Sequence, residues 1–238
     1  MFTTSKPYFE AVRFIDSAKT EVNIAESLDK MLKQEPDFVP FDEVMIKRLN
    51  NNAMESPRAN RYFEGRRITR ESIEKFSLGY SENQDMITIP MNDPTGQMFV
   101  GFVARSVEGK DFKNTPKLPK SKILFNLHRV KLNSTVYVVE SSFDAIRLDQ
   151  CGVSAVATLG SNVSKKQVEL LTKHFNSVIV IPDNDAAGQD MASRIVDKLG
   201  PRASVIGLPN RFKDIGDMTD SDIHELTKII KDPLLAMY

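Results

Sequence analysis

The chain has 238 residues, 41% of them hydrophobic and 27% charged, with 32 basic side chains against 32 acidic ones. That is an ordinary globular composition, enough for one large domain or two small ones. With no apolar run of membrane-spanning length and no signal-peptide core, the expectation is a cytoplasmic protein with no membrane partner. Cys151 is the one cysteine and His128, His174 and His224 are scattered, which rules out an intrachain disulfide and a cysteine-built zinc site. These four residues read as surface or packing positions.

The charge is unevenly placed. Residues 57–133 carry fourteen Lys and Arg against eight Asp and Glu, while residues 1–56 carry seven against ten and residues 134–238 eleven against fourteen. A basic middle beside an acidic end suits a protein that grips a polyanion in one place and metals in another. Solvated surfaces with a chance asymmetry would look the same.

In chain order, Ile24 to Leu32 has helical apolar spacing, and Phe41 to Leu49 suggests a second helix after Pro40; together residues 1–54 read as a helical segment. Ser56-Pro57 then begins a helix with an N-cap serine and proline at the first position, which Gly65 can end. A second short helix follows with Thr69 as its cap. Met86 to Pro90 and Met98 to Arg105 read as antiparallel strands around the Asn92–Gly96 turn. Lys110, Lys113, Lys117, Lys120 and Lys122, interrupted by Pro116 and Pro119, describe an extended basic loop, a surface feature or a set of phosphate contacts. Residues 55–133 thus form a basic α+β subdomain.

From residue 134 onward the text alternates. Strands are expected over 135–139, 155–159, 178–181 and 203–208, with helices between them over 142–150, from Ser164 to His174, and over 187–199. Ser164 and Gln167 make a capping box. Near-continuous apolar strands alternating with helices predict a parallel, Rossmann-like α/β sheet covered on both faces. No G-x-G-x-x-G follows the first strand, so a dinucleotide site is not expected.

Acids stand at three of the strand ends: Glu140, then Asp183 with Asp185, then Asp214 with Asp217. In a parallel sheet those ends share one edge, and Asp144, one helical turn after Glu140, can look back at it. Any one of these acids could be turn or capping chemistry. Several carboxylates at one edge repel one another unless cations neutralise them, and Mg2+ or Mn2+ suits an all-oxygen set without zinc. The expected ligands are Glu140, Asp144, Asp183, Asp185 and Asp214. Glu140, Asp183 and Asp185 are the expected catalytic groups, with Glu140 a general base or a further ligand, in phosphoryl or nucleotidyl transfer.

Val138-Val-Glu-Ser-Ser-Phe-Asp-Ala-Ile146, Ala157-Thr-Leu-Gly160, Ile181-Pro-Asp-Asn-Asp-Ala-Ala-Gly188 and Lys213-Asp-Ile-Gly-Asp217 together resemble the Toprim domain of primases, topoisomerases and some nucleases. Tyr62-Phe-Glu-Gly-Arg-Arg-Ile68, Phe76 to Tyr80, Ile89 to Gly96, Val100 to Arg105 and the Lys110-to-Asn126 stretch resemble the subdomain that precedes it in the catalytic core of bacterial and phage-type DNA primases. The resemblance spans about residues 55–220. It implies a DNA-dependent primase core that makes short RNA primers on single-stranded DNA with Mg2+ or Mn2+, in phage replication. Arg66, Arg67, Arg105, Lys110, Lys113, Lys120 and Lys122 would hold nucleoside triphosphate, template or primer. Asp111 replaces a lysine usual in cellular primases, and the Lys-Asp-Phe-Lys form matches phage helicase-primases. Neither a zinc-binding template reader nor a helicase P-loop is found, so a replicative helicase and a separate zinc-binding protein are the expected partners. A Toprim nuclease and a non-catalytic DNA- or helicase-binding module are the alternatives; a topoisomerase would need a tyrosine-bearing cleavage domain that does not fit.

Overall fold

The computed structural model describes residues 38–231. The helix expected at Ile24 to Leu32 lies outside them. Helices α1 (Glu43–Glu55), α2 (Pro57–Gly65) and α3 (Arg70–Lys75) are each capped by the side chain of the residue before, Asp42, Ser56 and Thr69. The caps satisfy amide groups that a helix N-terminus leaves without partners.

An antiparallel sheet follows, with strands in the order β1 (Gly79–Ser81), β2 (Met86–Asn92), β3 (Phe99–Ser106), β4 (Phe112–Asn114). The β2–β3 hairpin shifts register between Met91 and Asn92, next to Gly101 at φ 137°. Two of these strands were not expected. β1 is three residues long, and β4 lies within the lysine- and proline-rich stretch, where it pairs Phe112 with Arg105 and Lys113 with Ala104.

The second sheet is all parallel, in the order β6 (Ala155–Ala157), β5 (Thr135–Val139), β7 (Ser177–Val180), β8 (Ala203–Val205). Helices α4 (Ser142–Gln150), α5 (Lys165–His174) and α6 (Ala186–Leu199) connect its strands, and α7 (Asp220–Lys231) closes the described chain. The expected capping box is present: Gln167 N–H donates to Ser164 Oγ and Ser164 N–H donates back to Gln167 Oε1.

Both faces of β5, β6 and β7 are buried while the edge strand β8 is largely exposed, and strand alternation sorts the buried faces. Val136, Val138, Val156, Val178 and Val180 pack with Leu170, Leu171, Met191 and Ile195. Tyr137, Val139, Ala155, Ala157, Ile179 and Ile181 face the other way. There they join a core that also contains Phe63, Ile73, Phe76, Ile87 and Ile89 from the first sheet and its helices. Strand β5 lies between β6 and β7, so the chain leaves it to one side and returns on the other. The crevice between β5 and β7 is the point at which such sheets bind ligands.

Candidate active site

Glu140 follows β5, and the 159–161 turn closes around it. The N–H groups of Leu159 and Gly160 donate to its carbonyl, and the Ser161 N–H bonds its carboxylate. Burial, then the charge of Asp185, raises the Glu140 pKa, against Ser161 and the nearby Lys213, which lower it.

Asp144 sits in the first turn of α4 and is almost fully buried. It accepts from Ser141 Oγ at 2.6 Å and from Gly216 N–H at 3.0 Å. Burial, then Asp214, pushes its pKa up to about 7, with Ser141, Gly216 and Arg66 opposing.

Asp183 lies beyond β7, in the crevice. Burial lifts its pKa to about 7, and the charges of Asp144, Glu140, Asp214 and Asp185 all add to the rise. The five acids expected as metal ligands therefore share one electrostatic field. Asp185 also caps α6, accepting from Gly188 N–H at 2.9 Å, so the capping role and the cluster coexist in one residue. Asp214 does the same on a smaller scale, accepting from Asp217 N–H. Asp217 accepts from Lys213 N–H within its own turn and is exposed.

Three small or neutral residues hold this arrangement, and sequence reasoning missed them. A side chain on Gly188 would stand 2.5 Å from the Asp183 carbonyl oxygen, so α6 can start this close to Asp183 only with glycine there. Asn184 N–H donates to the Lys213 carbonyl, and its side-chain amide donates to the carbonyls of Leu208, Pro209 and Phe212. It thereby fastens the Asp214 loop to β7. A Cβ on Gly216 would meet Asp214 Oδ1 at 3.0 Å and Asp144 Oδ1 at 3.6 Å, so Gly216 is the spacer between those carboxylates.

Cations face the cluster. Arg66 lies over the rings of Tyr62 and Phe143, and its charge opposes the rise at Asp144. Half-buried Arg105 sits within the fields of Asp214 and Asp144, which partly offset the downward push of burial on its pKa. Arg67 is committed elsewhere: its guanidinium donates to the Gly216 carbonyl, and its own carbonyl is held by Arg147 and Gln150. Arg147, also missed, is fully buried and reaches Asp220 at 2.6 Å and the Met218 carbonyl. Lys110 and Lys113 are exposed. Facing residues of a strand pair share a side, so Lys113, opposite Ala104, projects from the face away from Arg105. Lys120 and Lys122 are half-buried; the Lys120 carbonyl accepts from Gln167, which also donates to Ile123 and Thr158. His128 packs against the Gly96 turn.

The donor set is all oxygen, as hard divalent cations prefer, and its mutual repulsion is the kind a cation relieves. Among the described residues no three His, Cys, Asp or Glu side chains close into a cage for an ion. Mg2+ does not require one, since it commonly takes one or two carboxylates and fills its remaining positions with water and substrate phosphates.

Residues 137–219 match the Toprim-like family model. They form a Toprim-like domain, and the chain that carries it resembles the catalytic core of bacterial DNA primases. It is 33% identical over 144 residues to the DNA primase of Mycoplasma genitalium, covering 55% of this chain and 24% of that one. It is 35% identical over 149 residues to the DNA primase of Legionella pneumophila, covering 55% and 26%. The match thus spans about a quarter of these relatives. A solved DnaG primase catalytic domain bound to ssDNA has the same fold, with a TM-score of 0.64, 20% identity and 77% of each chain covered. No described helix is long and apolar enough to cross a membrane.

Proposed function

We propose that this chain is the catalytic core of a DNA primase, joining ribonucleotides into short primers on single-stranded DNA in phage replication. The observation that carries the reading is Asp183. It stands at the switch point of a parallel sheet, within the field of four other carboxylates, with Arg66 and Arg105 close to the same cluster. Asp183 and Asp185, with Asp144 and Asp214, would hold Mg2+ or Mn2+, which when bound offsets negative charge at a reacting phosphate. Glu140 would take the proton of the attacking 3′-hydroxyl, a role that the rise of its pKa by burial favours. The new bond joins that oxygen to the α-phosphorus, and pyrophosphate leaves. Arg66 and Arg105 oppose the charge of the triphosphate.

Single-stranded DNA is bound by the solved catalytic domain of like fold, and the reading extends that ligand class to this chain. A replicative helicase and a separate zinc-binding template reader are proposed partners on the resemblance to phage helicase-primases. The basic residues 110–122 are assigned to template or primer phosphates. The test combines the protein, a single-stranded template, labelled ribonucleotides and Mg2+ or Mn2+. Short RNA products are expected, with a loss of 100-fold or more in Asp183→Ala, in the range that electrostatic active-site groups contribute. Template degradation lost in the same variant would make it a nuclease instead; template binding without either activity would make it a binding module.

A further inference from the structure

Among the described aromatic side chains Phe112 is the one that is exposed, at 61%. An isolated apolar side chain in water needs no explanation, but three observations set this one apart. Phe112 stands directly opposite Arg105 in the β3–β4 ladder. The Arg105 guanidinium lies over its ring, 5.0 Å from the centroid. The backbone is fixed on both sides, by Ser106 N–H to the Asp111 carbonyl and by Thr115 N–H to the Phe102 carbonyl. A flat ring is thus held in place, its inner face taken by a cation and its outer face in water. That cation feels the charges of Asp214 and Asp144, so the platform borders the acid site.

We propose that Phe112, backed by Arg105, stacks the nucleobase of a ligand whose phosphates lie at the acid site. The ligand class rests on the nucleotidyl-transfer reading above. The chemistry is that of the nucleotide itself: one end anionic, the other a flat aromatic that any exposed ring can receive regardless of sequence. The stacked base belongs to an incoming nucleotide or to the single-stranded template, and the two are separable by experiment.

Binding to the full chain is measured for ATP with Mg2+ and for a dT oligonucleotide, each beside its base-free counterpart, inorganic triphosphate and an abasic oligonucleotide. In Phe112→Ala and Phe112→Leu one base-bearing probe should bind about 5- to 150-fold more weakly, the range that about 1–3 kcal/mol of stacking represents. Phe112→Trp should bind as tightly as wild type or tighter, and both base-free probes should be unaffected. Weakening for ATP alone identifies the incoming nucleotide, and weakening for dT alone the template. Wild-type affinity in Phe112→Leu, an equal loss for base-free probes, or no wild-type binding of either base-bearing probe would overturn the proposal. A chain that makes no primers but shows the base-dependent loss would keep Phe112 as a stacking platform and discard the primase reading.

Discussion

Asn184 separates two aspartates in the sequence but ties two loops together in the fold. Its partners, Leu208 and Phe212, lie 24 and 28 residues downstream. Aspartates at a strand end are legible because their chemistry is carried by residue type. The asparagine between them is not, because its meaning depends on a loop brought close only by the parallel crossover. Gly188 escaped for the same reason, since its constraint is the nearness of the Asp183 backbone. Asn184→Ala should lower stability by only about 1 kcal/mol, because the freed carbonyls can reach water. On the proposed primase function, primer synthesis should fall at least tenfold as the Asp214 loop loses its anchor. Thermal denaturation beside a primer assay checks this; activity falling only in step with the folded fraction would make Asn184 a stability residue alone.

At the scale of elements, what local chemistry dictates was readable. The Ser56-Pro57 start, the Thr69 cap and the Ser164–Gln167 box all act within four residues, and the structure contains each. Two of the strands of three residues, β1 and β4, were harder. β4 sits among lysines and prolines that argue for a loop, and pairing with β3 alone makes it a strand. Gln167 shows both sides of the difference. Its capping role is local, whereas its amide also reaches the carbonyls of Lys120, Ile123 and Thr158 and pins the end of the basic loop to the second sheet. Gln167→Ala leaves those buried acceptors without a donor and should cost about 1–3 kcal/mol. Backbone amides over residues 117–123 should exchange faster with solvent, while those of β5 should not. Uniformly faster exchange would show that the glutamine supports the fold at large and not the loop.

For the molecule as a whole, the two sheets and the acid edge followed from patterning, but the strength of the charge coupling came only with the structure. Asp144 and Asp183 have folded pKa values of about 7 against 3.8 for the free side chain. Below about pH 4 both carboxyls are protonated in folded and unfolded chains, so they impose no penalty. From about pH 4 upward the unfolded chain ionises them while the folded protein still holds their protons, so their contribution to stability falls and is fully lost once pH has risen through 7. His128, pushed down to about 4 by burial, works in the opposite sense, but only below about pH 6.5. The melting temperature of the metal-free protein should therefore fall from pH 6.5 to pH 8.5. Mg2+ should restore it most at the alkaline end, and Asp183→Asn should flatten the profile. A melting temperature that rises over this interval would contradict the coupling described for the cluster.

Phe63, Ile73 and Ile87 from the first sheet region lie in one apolar cluster with Tyr137, Ile179 and Leu226 from the second. The halves that look separable along the chain are thus each other's solvent shield. Bringing the basic surface to the acid edge needs no hinge and no docking step, because the burial that folds either half also sets the distance between them. Arg105 comes within the fields of Asp144 and Asp214 as a by-product of core formation, and a spacing of that origin is as durable as the fold itself.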